Sequence, residues 1–310
     1  MPSFLYEDLT QRMEKILEPR YRTMHFENGD LIPTMVDLDP GMKEIAYDKI
    51  NEFGDADLVS DAATNIPVVD ISLDEDRYPI YMVAAGFPLS LQEERAYNAN
   101  HYHASSLNRF ERRMAVARKA IAQRTNQFTA LSVPNINFPG FLTNSLVSTD
   151  NSAFNLYTST YQQCLDFFVD IIESLTDNFV TDYPTDMLVP KDVHHRMVSL
   201  ENGLGTVNLM ERLEQLYPDL MITKTKELEA ALIDSSGITR PGAGKDRIML
   251  YPKEPDILNR HIEEQVAQLA PEEYIRTDGL RRIYPMFSCI TPAIFDYPTD
   301  CRYIDIPVKA

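Results

Sequence analysis

The chain has 310 residues, of which 29 are Lys or Arg and 47 are Asp or Glu, so its formal net charge at pH 7 is −18. This balance excludes an overall basic nucleic-acid coat, because contacts to phosphate need positive charge, but it does not exclude a local basic stripe. Hydrophobic residues make up 44% of the chain, which is ample for a core. The sequence shows no membrane-spanning apolar run and no signal peptide, and its three separated cysteines favour a reduced protein without a disulfide scaffold.

The amino-terminal part of the chain divides into a short helix and a long irregular segment. Apolar residues at helical spacing predict an amphipathic helix over residues 3–17. Residues 19–65 show no sustained period and contain several prolines and glycines. Two interpretations stay open for this segment: ordinary surface loops, or an extended arm that lies on a neighbouring subunit.

Alternating apolar and polar residues predict a β-hairpin over residues 66–88. In this prediction Val69 to Leu73 form one arm, Ile80 to Ala84 form the other, and the charged residues 74–77 form the tip. A two-stranded ribbon is at best marginally stable in water, so we expect this hairpin to lie on another surface.

The strongest local signal predicts a long helix that begins after Ser90. Ser90 and Glu93 have the spacing of a capping box, and neither Pro nor Gly occurs between there and Pro134. Apolar residues at alternating spacings of three and four extend the pattern to residue 131, although the polar residues 98–108 could break it. The exposed side of this helix would be basic, with Glu111 as the opposing charge. The basic residues are Arg109, Arg112, Arg113, Arg118 and Lys119. They indicate either a solvated helix face or a stripe that meets acidic protein or nucleic acid.

The remainder alternates between helices and strands. After a loop over 134–156, the pattern predicts a second helix over 161–179 with Thr158 or Ser159 as its N-cap. The elements predicted next are a strand at 186–190, a helix at 206–217, a strand at 220–223, a flexible insertion at 230–246, a strand at 248–251 and strands within 282–308. Residues 187–251 therefore read as an α/β unit.

Sequence motifs for catalysis are weak. The stretch 241–246 lacks the first glycine of a phosphate-binding loop and has Asp246 where that loop needs a hydroxyl. The histidine pairs 101/103 and 194/195 do not have the spacing of metal ligands on a helix, and Cys164 lies among core positions. We therefore predict no catalytic residue, no cofactor site and no metal site.

The order of these elements resembles the tailed-phage major capsid protein family with the Hong Kong 97-like fold. Local similarity is found in Ile66–Asp70 with Tyr78–Tyr81, in Gly86–Ala96, in Arg112–Ile121, and in Asp246–Tyr251 with Tyr284–Met286. The resemblance covers residues 60–300, and it rests on order and spacing more than on one motif. The loop 133–156 departs from the family because it lacks a Gly-rich sequence.

The resemblance implies an α+β fold with five parts. These are an N-terminal arm (1–60), an extended β-hairpin loop (61–89), a peripheral domain with a long spine helix (90–183), an α/β axial domain (184–250) and a return to the peripheral domain (251–310). It implies a structural protein, not an enzyme, that assembles with copies of itself as hexamers and pentamers into the icosahedral shell of a virion around a double-stranded DNA genome.

The resemblance also implies separate scaffolding, portal and cement proteins, weak non-specific contact with packaged DNA, no membrane partner, and assembly in the host cytoplasm. Because the sequence keeps Met1, we expect no amino-terminal processing and a scaffold that is a separate protein. Two alternatives have the same elements: a nanocompartment shell with this fold, and an α/β enzyme built on residues 187–251.

The residues expected at subunit interfaces are charged. They are Asp74, Glu75, Asp76 and Arg77 at the predicted tip, and Arg109, Arg112, Arg113, Arg118 and Lys119 on the predicted helix. The predicted hairpin contains no lysine, so we expect no isopeptide cross-link from it to a neighbour.

Overall fold

The computed structural model describes residues 24–26, 29–39, 41–53, 70–98, 109–176, 184–203, 205, 207–234, 244–263, 267–268, 276–278 and 281–309. The helices are α1 (Leu91–Asn98), α2 (Arg109–Ala130), α3 (Tyr161–Thr176), α4 (Lys191–Ser199), α5 (Leu209–Leu216) and α6 (Ala230–Asp234). The first strands are β1 (Thr34–Val36), β2 (Glu44–Phe53), β3 (Asp70–Pro79), β4 (Tyr81–Ser90), β5 (Ser148–Asn151), β6 (Asp186–Val189) and β7 (Met221–Lys224). They are followed by β8 (Lys245–Tyr251), β9 (Leu258–Ile262), β10 (Ala267–Gln268), β11 (Arg276–Asp278), β12 (Arg281–Ile290), β13 (Ile294–Phe295) and β14 (Arg302–Pro307).

A five-stranded sheet with the order β5-β14-β8-β6-β7 forms one layer of the fold. Its central strands β6 and β8 are buried on both faces, and each contains a continuous apolar run, Met187–Val189 in β6 and Ile248–Tyr251 in β8. Met187 and Ile248 face a core that contains residues of α3, α4 and α5. Leu188 and Met249, one residue further along each strand, belong to the opposite core. The predicted α/β unit is confirmed, because the parallel strands β6 and β7 are connected through α4 and α5.

A second sheet is organised around the ten-residue strand β12. This strand pairs with β4 along its whole length, from Arg281 opposite Ser90 to Ile290 opposite Tyr81. Among the described residues it also pairs with β9, β10 and β11, while β1 and β13 add to β9. Helix α2 packs on this sheet through Ala117 and Ile121, which share a core with residues of β4 and β12.

The third feature is a two-stranded ribbon formed by β2 and β3. The two strands are antiparallel and pair over ten positions, from Glu44 opposite Pro79 to Phe53 opposite Asp70. Ten residues at the strand rise give the ribbon a length of roughly 33 Å. The chain leaves β3 through Ile80 and enters β4 at once, so the ribbon is a direct extension of the second sheet.

The hairpin predicted over residues 66–88 is therefore wrong. Its first arm is a strand, but its partner is β2, within the segment read as irregular, and its second arm is β4, paired with β12. Residues 74–77 lie in the middle of β3 rather than at a tip, and residues 54–69 lie outside the described part of the chain.

The other local predictions differ in detail. Ser90 and Glu93 form the predicted capping box, since each side chain bonds to the backbone N–H of the other. Helix α3 is capped by Thr160, not by Thr158 or Ser159, because the Thr160 hydroxyl accepts from the Gln163 N–H. The predicted single long helix is described as α1 and α2, and residues 99–108 between them, like the predicted helix over 3–17, lie outside the described residues.

Candidate subunit interface

The ribbon exposes an apolar surface that the other described residues leave largely accessible. Directly opposed residues share a face, so Ile50 and Leu73 lie together, with Ile71 two residues along β3 on the same face. Their exposed fractions are 61%, 77% and 66%, respectively. Three large exposed aliphatic side chains on one face of a free ribbon are typical of a protein–protein contact.

The ribbon is also strongly acidic. Strands β2 and β3 together contain seven carboxylate residues and two basic residues, a net charge of −5. Both basic residues make contacts within the ribbon: Lys49 Nζ lies 3.7 Å from Asp76 Oδ2, and Arg77 Nη2 lies 3.0 Å from Glu75 Oε2. Arg77 also lies 3.9 Å from Glu44. Because these ion pairs are exposed, each adds little to stability, and the ribbon keeps an excess of negative charge.

Helix α2 carries the opposite charge. It contains six basic residues and the single acid Glu111, a net charge of +5. Arg112, Arg118 and Lys119 are exposed on the side of the helix that faces away from the sheet. The net charges of the ribbon and of helix α2 are therefore equal in magnitude and opposite in sign. Complementary charge of this kind gives protein interfaces specificity.

Arg113 differs from its basic neighbours because it is held within the chain. Its guanidinium donates to both carboxylate oxygens of Glu93, at 2.9 and 3.1 Å, and to the Pro88 carbonyl at 2.8 Å. The hydrogen bond from Arg113, together with the Ser90 cap, lowers the pKa of Glu93. Arg113 therefore fastens α2 to the beginning of α1 and has less freedom to reach a neighbour.

The base of the ribbon is joined to the body through aromatic and polar side chains. The rings of Tyr47 and Tyr78 pack edge to face, with centroids 6.1 Å apart. The Tyr47 hydroxyl contacts His261 of β9, whose other ring nitrogen contacts Asp37. Burial, with a smaller contribution from Asp76, raises the pKa of Tyr78 to about 12.

The structure places the predicted interface residues in two separate groups. Asp74, Glu75, Asp76 and Arg77 are exposed in mid-strand, and the exposed residues of α2 lie on the body; the side chain of Arg109 is not described. Sequence reasoning missed Ile50 and Lys49, which belong to the ribbon through β2. Ile45 and Tyr47, two positions apart, are the sequence signal for this strand, but they lie within a segment that shows no sustained period. Because Lys49 is on the ribbon, the premise that this element has no lysine is wrong.

The described residues contain neither a metal centre nor a membrane span. No three His, Cys, Asp or Glu side chains there are grouped so that they could hold a metal ion. No helix among these residues has the length and apolarity needed to cross a bilayer.

A body of two sheets crossed by a long helix, with a projecting ribbon, defines the Hong Kong 97-like class of shell proteins, and solved capsids have this fold. The capsid of Myoviridae phage XM1 matches with a TM-score of 0.74 at 12% identity, covering 97% of this chain and 98% of that one. The structure from Mycobacterium phage Bobi matches with a TM-score of 0.62 at 11% identity, covering 97% of each chain. The capsid of a native GTA particle matches with a TM-score of 0.63 at 10% identity, covering 96% of this chain and 95% of that one.

The family to which this chain belongs is shown by its amino-acid sequence. The sequence model of the major capsid protein family matches residues 54–306, and the chain belongs to that family. No curated protein matches this sequence. The expected capsid family, mixed α and β fold and capsid function are confirmed, and they are favoured over the nanocompartment and enzyme alternatives. The chain is thus a major capsid protein, and its fold is that of solved bacteriophage capsids.

Proposed function

We propose that this capsid protein forms hexamers and pentamers in which the ribbon of each subunit docks on the body of the next. The single observation that carries the proposal is the exposed apolar face of Ile50, Ile71 and Leu73. Full burial of such a side chain is worth about 1.5–3 kcal/mol, so the fraction still exposed here leaves roughly 3–6 kcal/mol per ribbon for assembly. Head-to-tail contacts of this type close into rings when the rotation between subunits is right.

The charges of the ribbon and helix α2 support the same arrangement. A net charge of −18 makes repulsion between subunits a constant cost, and a ribbon of −5 placed on a helix of +5 reduces it locally. We propose that Arg109, Arg112, Arg118 and Lys119 meet the acidic ribbon of a neighbour more than they meet DNA. Arg113 and Arg77 act mainly inside their own subunit, through Glu93 and Glu75.

The finer parts of the function are proposed on the same basis. The five segments 1–60, 61–89, 90–183, 184–250 and 251–310 act as arm, extended loop, peripheral domain, axial domain and return. Strand β2 lies within the first segment, but it works with the extended loop because it pairs with β3. Separate scaffolding, portal and cement proteins complete the shell, which encloses double-stranded DNA through weak non-specific contacts. Assembly takes place in the host cytoplasm, and the chain carries out no catalysis.

The docking face is tested by adding the same charge to each of the two faces of the ribbon in turn. Leu73→Asp places a carboxylate in the apolar patch, whereas Ser72→Asp places it one residue away on the opposite face of β3. Sedimentation and electron microscopy of the purified proteins should show that Leu73→Asp stays unassembled with an unchanged circular dichroism spectrum. Ser72→Asp should form shells. Shells from Leu73→Asp at normal yield would refute the proposed docking face.

The charge match is tested by salt. Because exposed charges are screened over about 10 Å at moderate ionic strength, high salt should slow assembly of the wild type. Replacing Arg118 and Lys119 together by Gln should slow assembly at low salt and reduce this salt dependence. A salt dependence that the double variant keeps in full would show that these residues do not carry the attraction.

A further inference from the structure

A tight turn between α4 and α5 places an asparagine directly before an exposed glycine. The Asn202 N–H donates to the Val207 carbonyl at 3.1 Å, so the chain turns back on itself here. The turn is closed by the Gly205 N–H, which donates to the Asn202 carbonyl at 2.8 Å. Asn202 and Gly203 are therefore the first two residues of a four-residue β-turn.

The fold does not require a glycine at position 203. A Cβ built on Gly203 would meet no atom within 4 Å. Its φ is not in the left-handed region, whereas Gly205 has a φ of 65°. Gly205 is thus the glycine that the turn geometry requires. What a glycine at 203 provides is a backbone nitrogen that no side chain of its own shields.

The nitrogen of Gly203 is open to reaction, in contrast to the nitrogen that follows another asparagine. Gly203 is exposed, and no carbonyl of the described residues accepts a backbone hydrogen bond from its N–H. After Asn151, the N–H of Ser152 donates to the Asp305 carbonyl at 2.9 Å. A nitrogen held in this way cannot approach the preceding side chain, so the two asparagines should differ in reactivity.

We propose that Asn202 is a site of spontaneous deamidation, through which each subunit gains a carboxylate as it ages. The Gly203 nitrogen loses its proton to base and forms a bond to Asn202 Cγ, and the side-chain nitrogen takes up a proton and leaves as ammonia. Water then opens the resulting cyclic imide by breaking one of its two carbonyl–nitrogen bonds, and a proton returns to the Gly203 nitrogen. Breaking the bond at Cγ gives aspartate, and breaking the bond at the main-chain carbonyl carbon gives isoaspartate. Water is the only co-reactant.

The two products change the turn in different ways. Both add one negative charge to a chain whose net charge is −18, and both place it beside the exposed Glu201. Aspartate keeps the original main chain. Isoaspartate carries the main chain through the former side chain, so the carbonyl that accepts from the Gly205 N–H becomes a free carboxylate. The reaction can therefore be measured both as charge and as chain connectivity.

Peptide mapping of the purified full chain tests the site. After warm incubation, mass spectrometry should show that the peptide containing Asn202 has become heavier by about one mass unit, and chromatography should separate its aspartate and isoaspartate forms. The conversion should be faster in mildly alkaline than in mildly acidic buffer, because the attacking nitrogen must lose a proton. The peptide containing Asn151 should stay unchanged, and it serves as the control within the same chain.

Two variants test the roles of the two residues. In Gly203→Ala the rate should fall by about tenfold, because a Cβ beside the attacking nitrogen hinders its approach and narrows its backbone freedom. Thermal melts of this variant should match the wild type, since the added methyl group meets open space. Asn202→Gln keeps the carboxamide but requires a larger ring, so it should stay unmodified.

A synthetic peptide of residues 199–207 gives the rate without the fold. Conversion of this peptide while Asn202 stays intact in the folded subunit would overturn the proposal, because the turn would then protect the residue. An unchanged rate in Gly203→Ala would overturn it as well, since the Gly203 nitrogen would not be the attacking group.

Discussion

Gly140 is a position where one added methyl group should destabilise the whole subunit. A Cβ built on Gly140 would lie 2.3 Å from the carbonyl carbon of Leu131 and 2.3 Å from the amide nitrogen of Ser132. Both atoms are backbone, so no side chain can rotate away. The close approach is fixed directly after Gly140 by the N–H groups of Phe141 and Leu142, which donate to carbonyls in the last turn of α2.

The cost of Gly140→Ala follows from this overlap. Extra methylenes in well-packed sites typically cost about 1–3 kcal/mol, and because only backbone can move here we expect about 3 kcal/mol or more. For a chain of this size the melting temperature should fall by roughly 6–12 °C. Gly203→Ala is the matched control, since a Cβ there would meet no atom within 4 Å. Thermal melts followed by circular dichroism compare the two, and equal melting temperatures would refute the reasoning.

Two further predictions concern the ribbon and the helix junction. Arg113→Ala should cost roughly 1 kcal/mol after solvent screening, and the loss should be largest above about pH 4.5. Arg113 lowers the pKa of Glu93, so the ion pair stabilises the fold above the unfolded pKa and is lost as pH falls, which leaves the hydrogen bond to the Pro88 carbonyl. Urea titrations at several pH values, with Arg118→Ala as control, would contradict this if the loss were as large in acid. Boiled particles should run as one band near 35.5 kDa, because Lys49 Nζ lies 3.7 Å from Asp76 Oδ2 in an ion pair within its own ribbon. A ladder of bands that Lys49→Arg abolishes would overturn that expectation.

Elements that depend on nearby residues could be predicted from the sequence. The capping box of Ser90 and Glu93, and the apolar spacing through Ala117 and Ile121, involve contacts within a few residues or along one helix face. The α/β unit was equally accessible, since its strands are short, apolar and separated by a helical pattern. Helix α4 was missed, although Val193 and Met197 at spacing four are both buried and could have indicated it.

The pairing of strands could not be predicted in the same way. Alternation in β3 shows that residues 70–79 are extended, but it does not say which segment pairs with them. The sequence pattern favours the nearest apolar alternation, in β4, as the partner, whereas β4 pairs with β12 about 200 residues further along the chain. The error moved Asp74 and Arg77 from mid-strand to a tip, and it left Lys49 and Ile50 out of the candidate interface.

The arrangement of the ribbon explains why folding and assembly can be separate events in this chain. The core residues of both sheets and α2 are buried within one subunit, whereas Ile50, Ile71 and Leu73 stay exposed after folding is complete. Their free energy of burial is therefore available only when a partner is present. A few kilocalories per ribbon is weak for one contact, but each subunit in a closed ring gives one ribbon and receives another. Small changes at the base of the ribbon, where Tyr47 meets His261, can then alter the geometry of every contact in the ring without unfolding any subunit.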